Sequence, residues 1–478
     1  MYLKSIRLRN IKCFGDATVD FTSGGSVRRW TTFFGRNGLG KSTLLQAIGA
    51  VLAGPSAVRE LLPTADGWVK KGQAWGEISA QIMPTEGDAP ARRPRLLHPY
   101  EIRYLVTGGD PATLPEALEE RPTVPEMIAW SGQGDSKEKE NLTKDRKLLQ
   151  QTAYAEDQKG WLACGYGPFR RLSGGAEDPN RIVAKQRRSA RFVTLFREDA
   201  ALTNATAWLL ERYNAAKEEA RERKTLEVVT QAIAERLLPE TVTLVLNART
   251  VKLRRVDGSE TSFQDLSDGY RSMLALSVDL LRWLTQAFPD EERPLECPGV
   301  VVVDELDAHL HPDWQRRIGH WLREKFPNIQ FIVATHSPFL AQVAGDDAVG
   351  AVHAGGESEG DAVSGNIKLE ELRGGGGVQF VGSTEPARNL QADQILQSEL
   401  FELKSLYAGP VEDRLGQYRA LRARKRQKSL SAAEEAQFLQ LELWATTLPQ
   451  TATAPEREAE AVVRQAIERQ AARVRELE

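Results

Sequence analysis

The chain contains 478 residues, more than a single hydrophobic core usually holds, so about two to three domains are expected. Its formal charge is −3 with 27% charged residues, and nothing in this bulk composition demands a nucleic acid or an acidic surface as a partner. Three isolated cysteines, Cys13, Cys164 and Cys297, argue against structural disulfides, and no segment resembles a signal peptide or a membrane span, which predicts a soluble cytoplasmic protein.

Two alternating segments open the chain, Tyr2 to Arg9 and Ala17 to Phe21, and they predict an antiparallel pair of strands. The turn between them carries Lys12. This lysine is open to two interpretations, because it either contacts a nucleotide or is a solvated hairpin residue.

The pattern GxxxxGK[ST] follows an apolar run, Trp30 to Phe34, and precedes an amphipathic run, Thr43 to Leu52. The predicted order is therefore strand, loop, helix. Such a loop wraps a polyphosphate, because its glycines let backbone amides converge on the oxygens at the positive N-terminus of the helix. Lys41 would bridge the β- and γ-phosphates, and the Ser42 hydroxyl would ligate Mg²⁺. The predicted nucleotide-binding residues here are Gly35, Arg36, Asn37, Gly38, Leu39, Gly40, Lys41, Ser42 and Thr43.

Residues 56–240 are interpreted as an insertion that mixes strand-like pieces with charged segments. Its segment Ser136 to Gly160 predicts a solvated helix or a mobile stretch. Tyr166 to Arg171 predicts a strand end and a tight turn with two arginines. Two helices are predicted after it, about Arg191 to Arg212 and Ala215 to Leu238. Val242 to Leu246 and Thr250 to Val256 then predict a hairpin.

A continuous aliphatic run, Gly299 to Val303, is typical of a strand buried on both faces, and Asp304 and Glu305 follow it directly. At the C-terminal edge of a parallel sheet, Asp304 can hold Mg²⁺ and Glu305 can polarise an attacking water. Gln330 to Ala334 predicts another buried strand. Upstream, a helix is predicted from the LSDGYRS segment to about Leu284.

The ordered set GRNGLGKST, LSDGYRS, VVVVDELDAHLHP and THSP resembles the ABC-type ATPases of the SMC, RecF and overcoming-lysogenisation-defect (OLD) group. The resemblance covers roughly the first forty residues plus Ser262 to Leu340. It implies an α/β fold: an ABC-ATPase head, which is a P-loop sheet with an N-terminal antiparallel β layer, carrying a helical insertion and a C-terminal helical region. It also implies binding and hydrolysis of ATP with Mg²⁺.

Further roles are implied only by this resemblance. Ser267 and Gly269 match the signature that caps the γ-phosphate of ATP on a second subunit. Asp307 matches the D-loop, His336 matches the switch histidine, and Lys12 lies in an element that stands near the nucleotide.

The helix after Ser267 would point its N-terminus at an anion, as does the helix that begins with Lys41. Two helix termini on one triphosphate imply an isologous homodimer with ATP sandwiched at the interface. A higher homo-oligomer stays open.

The chain departs from the family pattern at three places. Asp268 replaces a glycine of the signature, and we expect its carboxylate to point outward. No glutamine-bearing loop is evident, and Tyr166 to Arg171 is the candidate for its place. The insertion is short and has no CxxC hook, which argues against a long coiled-coil arm.

Two further patterns have competing interpretations. His309 and His311 form an HxH pair, but a shared turn is favoured over a metal site because no third ligand has suitable spacing. The run Arg414 to Lys428 contains seven basic residues and no acidic one. It fits a phosphate-contacting helix, a solvated face or a protein docking surface.

Four regions are predicted: an N-terminal lobe (1–55), the insertion (56–240), a C-terminal lobe (241–345), and a Gly/acidic linker with charged helices (346–478) that docks a partner or nucleic acid. The segments LSDGYRS, DELDAHLHP, GYGPFRR and ADQILQSELF resemble the PtuA-type ATPases of the Septu and retron anti-phage systems.

The predicted function is a homodimeric ATPase switch or sensor that controls a separately encoded nuclease or toxin. The alternative is a RecF- or SMC-like ATPase that binds DNA in repair or recombination, and a transporter ATPase ranks third.

Overall fold

The computed structural model describes residues 1–85, 99–116, 118, 122–132, 134–155, 159–170, 188–198, 200, 202, 205–234, 243–344, 365–372, 377–383, 387–403, 405–427 and 430–448. The chain divides into two compact units, Met1–Glu402 and Leu403–Glu478. Among the described residues, every helix is too short or too polar to cross a membrane.

Four sheets contain the described strands. The strands are β1 (Tyr2–Ile11), β2 (Phe14–Asp20), β3 (Thr22–Ser23), β4 (Ser26–Val27), β5 (Trp30–Phe34), β6 (Trp75–Met83), β7 (Tyr100–Thr107), β8 (Met127–Ala129), β9 (Ala163–Tyr166), β10 (Thr243–Leu246), β11 (Val251–Arg254), β12 (Glu260–Ser262), β13 (Gly299–Val303), β14 (Ile329–Ala334), β15 (Asn366–Glu371) and β16 (Val378–Gly382).

The α-helices range from single turns to five turns. They are α1 (Lys41–Ala53), α2 (Pro55–Leu61), α3 (Ser136–Gln151), α4 (Val193–Phe196), α5 (Ala205–Ala215), α6 (Ala220–Ala234), α7 (Asp268–Ala287), α8 (Pro312–Lys325), α9 (Pro338–Ala341), α10 (Ala392–Gln397), α11 (Gly409–Gln427) and α12 (Ala432–Thr446).

The central sheet has the strand order β16-β15-β5-β14-β13-β9, and all neighbours except β15 and β16 are parallel. The aliphatic strand β13 is buried on both faces, as predicted. Val300 and Val302 lie in the hydrophobic cluster that contains α1, whereas Val301 and Val303 lie in the cluster that contains α7. This alternation along one strand places the sheet between two layers of helix.

The predicted pair of N-terminal strands is confirmed, because β1 pairs antiparallel with β2. They belong to a larger antiparallel sheet with the order β2-β1-β6-β7-β8. The α/β class with an antiparallel N-terminal layer is therefore the observed architecture. The hairpin of β10 and β11 and the predicted helix α7 are also confirmed.

The interpretation of residues 56–240 as an insertion is wrong for its strands. Strand β6 alternates half-buried with buried residues, so its apolar face joins the same core as β1, with which it pairs. Strand β9 instead pairs in parallel with β13 in the central sheet.

The C-terminal region also begins later than predicted. Strand β15 pairs in parallel with β5, and the first compact unit extends to Glu402 rather than ending at residue 345. The predicted linker lies partly outside the described residues. Long-range pairing of β15 with the sheet explains the difference, because local composition does not reveal it.

The long helix predicted from Arg191 to Arg212 is wrong. The chain forms the short helix α4 and leaves helical geometry at Arg197, and the next described helix is α5. Phe192 and Leu195 are buried against Gly165 of β9, where an added Cβ would lie within 2.8 Å of both side chains. This packing of bulky side chains on a glycine overrides the helical periodicity.

Candidate nucleotide-binding and hydrolysis site

The phosphate loop, residues 35–40, connects the fully buried strand β5 to α1. Gly40 is the N-cap of α1 and has φ 90°, a left-handed conformation that favours glycine. A Cβ there would lie 2.4 Å from the Cys13 sulfur and 2.9 Å from the Phe14 ring. The turn between β1 and β2 therefore packs against the phosphate loop and leaves no room for a side chain at position 40.

Gly40→Ala is expected to lower the free energy of unfolding by about 1–3 kcal/mol more than Gly38→Ala, because the methyl group overlaps Cys13 and Phe14. Gly38 is the matched control, since it has φ 83° but no atom within 4 Å of an added Cβ. Urea unfolding of both variants measures the difference. Equal losses of stability in the two variants would contradict the close packing of Cys13 and Phe14 against Gly40.

Lys41 is the first residue of α1, and its side chain is only 7% exposed. Its Nζ donates to the carbonyl oxygens of Gly35 at 2.7 Å and Arg36 at 3.2 Å. Burial lowers the pKa of Lys41, although the carboxylates of Asp304, Glu305 and Asp307, which follow β13, oppose that shift. The ammonium group thus lies inside the loop, where a phosphate oxygen could replace the carbonyl contacts.

Asp304 follows β13 and is 4% exposed. Burial raises the pKa of its carboxyl group, while a hydrogen bond from Ser42 lowers it. One carboxylate oxygen, Oδ1, has no hydrogen-bond partner among the described residues. A buried carboxylate oxygen beside a hydroxyl fits a hard divalent cation such as Mg²⁺. The predicted pair Ser42 and Asp304 therefore lies together.

Glu305 and Asp307 occupy the turn that follows. Glu305 has φ 47°, which is unusual for a residue other than glycine. Asp307 Oδ1 accepts a hydrogen bond from the Thr335 hydroxyl, so the residue that follows β14 holds this carboxylate.

His336 is the exposed residue that follows Thr335. Burial of its ring and the charge of Lys41 lower its pKa. The imidazole is therefore neutral at pH 7. The charges of Lys41, Asp307 and Glu305 all act on this ring, so His336 lies near these three residues.

The signature segment, Leu266 to Ser272, begins α7. Ser267 is the N-cap and is exposed, and its side chain accepts no capping hydrogen bond from the helix. Gly269 packs on the D-loop, because an added Cβ would lie 2.6 Å from the carbonyl oxygen of His309. Asp268 is exposed and accepts a hydrogen bond from Arg271, which lowers the pKa of its carboxyl. The expectation that Asp268 points outward is confirmed.

Residues 31–341 match the protein family described as "AAA domain, putative AbiEii toxin, Type IV TA system". The chain belongs to this AAA-domain family. The matched span contains the phosphate loop, the signature segment, both carboxylates after β13 and His336. The resemblance to ATPases is thereby confirmed for most of the first compact unit.

This AAA-domain chain is similar to the "Septu protein PtuA" of Bacillus mycoides (strain KBAB4), with 27% identity over 341 residues, 70% of this chain and 38% of that protein. It is also similar to the "Retron Vc95 probable ATPase" of Vibrio cholerae serotype O1 biovar El Tor, with 48% identity over 84 residues, 18% of this chain and 16% of that protein. The chain thus spans well under half the length of these curated relatives. The resemblance to the Septu and retron group is confirmed.

A solved structure similar to the AAA-domain chain is an SMC head bound to the C-winged helix domain of ScpA. The match between the two chains covers 80% of this chain and 98% of the SMC head, with 16% identity and a TM-score of 0.47. The strand orders of the chain itself give an α/β fold with an antiparallel N-terminal layer, as predicted.

Lys12 of this AAA-domain protein lies at the edge of the site. Its φ is 44°, and its Nζ stacks 4.6 Å from the centre of the Trp68 ring. Burial lowers the pKa of this lysine. The indole therefore engages the lysine in the described conformation, and its contact with nucleotide stays a prediction.

His309 and His311 lie in the turn before α8. The Nδ1 of His311 accepts a hydrogen bond from the Asp313 amide at 3.3 Å and so caps the helix. His309 is exposed and has φ 64°. The structure supports the favoured interpretation, in which His309 and His311 belong to a structural turn.

The described part of the basic run, up to Gln427, lies in α11, within the second compact unit. Arg419, Arg424 and Lys425 form ion pairs with glutamates of α11 and α12 at 3.0, 2.8 and 3.3 Å. Arg414 stacks on the Trp444 ring at 4.3 Å. Acidic or aromatic side chains therefore contact many of the basic residues in this run of the AAA-domain chain.

Sequence reasoning missed the role of Arg170 in this AAA-domain protein. The segment Tyr166 to Arg171 was the candidate for the place of the glutamine loop, and its strand β9 does lie beside β13. Arg171 lies outside the described residues. Arg170 is buried under Asp304 and Glu305, and the GYGPFRR pattern was the available signal.

Proposed function

We propose that the chain is an ABC-type ATPase that binds ATP with Mg²⁺ between two copies of itself. One observation carries the proposal: Lys41, Asp304 and Glu305 meet at one edge of the central sheet, close enough for the carboxylates to shift the pKa of the lysine. Ser267 lies exposed at the start of a separate helix, α7. A residue that contacts ATP bound to a second copy must be exposed in this way.

The proposed roles follow from the chemistry of each side chain. Lys41 and the loop amides bind the phosphates, and Ser42 and Asp304 hold Mg²⁺, which when bound neutralises phosphate charge. Glu305 accepts a proton from the attacking water. The neutral imidazole of His336 donates a hydrogen bond toward the γ-phosphate. Thr335 orients Asp307.

We further propose that the ATPase acts as a homodimeric switch in anti-phage defence. The similar proteins are named as a Septu protein and as a retron ATPase. ATP would favour a closed dimer, and hydrolysis would change what the C-terminal helices hold, namely a separately encoded nuclease or toxin. The alternative, a DNA-repair clamp, is not favoured, because glutamates and Trp444 engage much of the basic run.

A phage challenge tests the defence role. Cells that carry the gene with its neighbouring open reading frame should form fewer plaques than cells that carry either one alone. The same protection in cells that lack this chain would contradict the proposal. An HNH, Toprim or reverse-transcriptase pattern in the neighbouring frame would identify the effector class.

Asp304→Asn is expected to weaken Mg²⁺-dependent ATP binding on the order of 10- to 100-fold. It should also raise the melting temperature. Because burial raises the pKa of this carboxyl, its ionisation at neutral pH destabilises the folded state, and the neutral amide removes that cost. Titration of a fluorescent ATP analogue with Mg²⁺ and with EDTA measures the first effect.

The exposed Asp313, at the start of α8, provides the matched control. Asp313→Asn should bind the analogue like wild type in both conditions. If Asp304→Asn kept the full advantage of Mg²⁺ over EDTA, the assignment of this carboxylate to the metal would be wrong.

A further inference from the structure

An arginine outside the recognised motifs lies directly beneath the turn that carries the proposed base. Arg170 follows β9, and its side chain is 4% exposed. Its guanidinium donates to the carbonyl oxygens of Asp304 at 3.1 Å and Glu305 at 2.8 Å, and a longer bond of 3.4 Å reaches Leu306. One side chain therefore holds three consecutive carbonyl groups.

The same guanidinium also reaches the signature helix. Its Nε donates to the hydroxyl of Ser272 at 3.3 Å. Ser272 is 6% exposed and lies in the second turn of α7, the helix that Ser267 begins. Arg170 thus connects the turn at Glu305 with the helix whose N-terminus would face the ATP of a partner copy.

The chemistry of this contact requires an arginine. Burial lowers the pKa of Arg170 to about 10, so the group stays charged at neutral pH. Burying a charge is costly, and no carboxylate forms an ion pair with it among the described residues. A planar fork of donors can bind several carbonyl groups at once, whereas the point charge of lysine cannot.

The backbone that Arg170 holds is itself strained. Glu305 has φ 47°, a conformation that persists only where the surroundings impose it. The shortest of the hydrogen bonds from the guanidinium is to the carbonyl of this residue. The direction of the Glu305 side chain therefore depends on a hydrogen bond from Arg170, in the segment that follows β9.

We infer that Arg170 is a positioning residue that aims Glu305 and ties its backbone, through Ser272, to the signature helix. The inference rests on the proposed function, because it gives Arg170 its role through the base. When Ser267 contacts the ATP of a partner copy, that contact acts through α7, Ser272 and Arg170 on the position of Glu305 in its own chain.

Arg170→Lys tests this role in the full-length chain. The kcat for ATP should fall about 10- to 100-fold, while KM stays within about threefold, because a displaced base affects the chemical step and not nucleotide binding. Phosphate release measures both constants, and a thermal melt should show a shift of only a few degrees, on the order expected for one lost contact.

Arg188→Lys is the matched control. Arg188 is also a buried arginine with a lowered pKa, about 9, and it donates to the Leu52 carbonyl at 2.9 Å, away from the motifs. This control should change the melting temperature without changing kcat. A merely structural role for Arg170 would give the same result in both variants and would overturn the inference.

Ser272→Ala provides a second route if Arg170→Lys does not fold. It should lower kcat with KM unchanged, and adding it to Arg170→Lys should cause little further loss, because both act through one contact. An unchanged kcat in Ser272→Ala would overturn the link to the signature helix. Wild-type protein without ATPase activity would contradict the proposed function itself, whereas active wild type with an unimpaired Arg170→Lys contradicts only this inference.

Discussion

Replacing Glu305 with glutamine is expected to preserve ATP binding and to lower turnover roughly 100- to 10,000-fold. The amide has nearly the same shape but cannot accept a proton from water. The contact between Glu305 and Arg170 uses the backbone carbonyl, so the substitution leaves it in place. Because ATP persists between the two copies, the variant should accumulate as a closed dimer.

Phosphate release and light scattering after size exclusion, each with ATP and Mg²⁺, measure the two effects. The exposed Glu291 supplies a control, and Glu291→Gln should behave as wild type in both assays. Turnover at the wild-type rate in Glu305→Gln would show that another group is the base. Loss of ATP binding would show that the substitution disturbed the phosphate loop instead.

Ser267→Arg is expected to abolish turnover while a single copy still binds ATP. Ser267 is exposed at the start of α7 and lies apart from the phosphate loop in sequence, so its enlargement should not alter binding within one chain. In the proposed dimer the added side chain would occupy the γ-phosphate site of the partner. Ser259→Arg changes another exposed serine and should retain full activity.

Mixing two inactive variants tests the shared site directly. A dimer of one Ser267→Arg chain and one Lys41→Ala chain has one damaged site and one site with an intact phosphate loop and signature. Part of the activity should therefore return on mixing, because this site is complete but the Ser267 that would act on its Glu305 is the substituted one. A heterodimer that forms without any recovered turnover would argue against a site built from two copies.

Local signals in the sequence predicted much of this architecture. The β1–β2 pair, the β10–β11 hairpin and α7 each have a clear period and nearby partners, and all three are confirmed. The phosphate loop and the residues after β13 were recognisable because their chemistry requires a fixed spacing. Their proposed roles depend on the experiments above.

Long-range contacts explain what the sequence did not predict. The assignment of β6 to the sheet of β1, and of β15 to the edge of β5, depends on pairing between distant segments. The break after α4 depends on packing against Gly165, a residue far from it in sequence. Likewise, the burial of Arg170 depends on β9 lying beside β13, which no local pattern encodes.

The position of β15 also bears on how the chain matures on the ribosome. The strand that leads into the phosphate loop, β5, is made early, but its outer neighbour is translated only after the phosphate loop, the signature segment, Asp304, Glu305 and His336. Until then the nascent protein exposes one row of unpaired amides and carbonyls beside its future nucleotide pocket, an edge that is prone to aggregation. The edge of the central sheet beside the phosphate loop is thus completed only after β15 has been made.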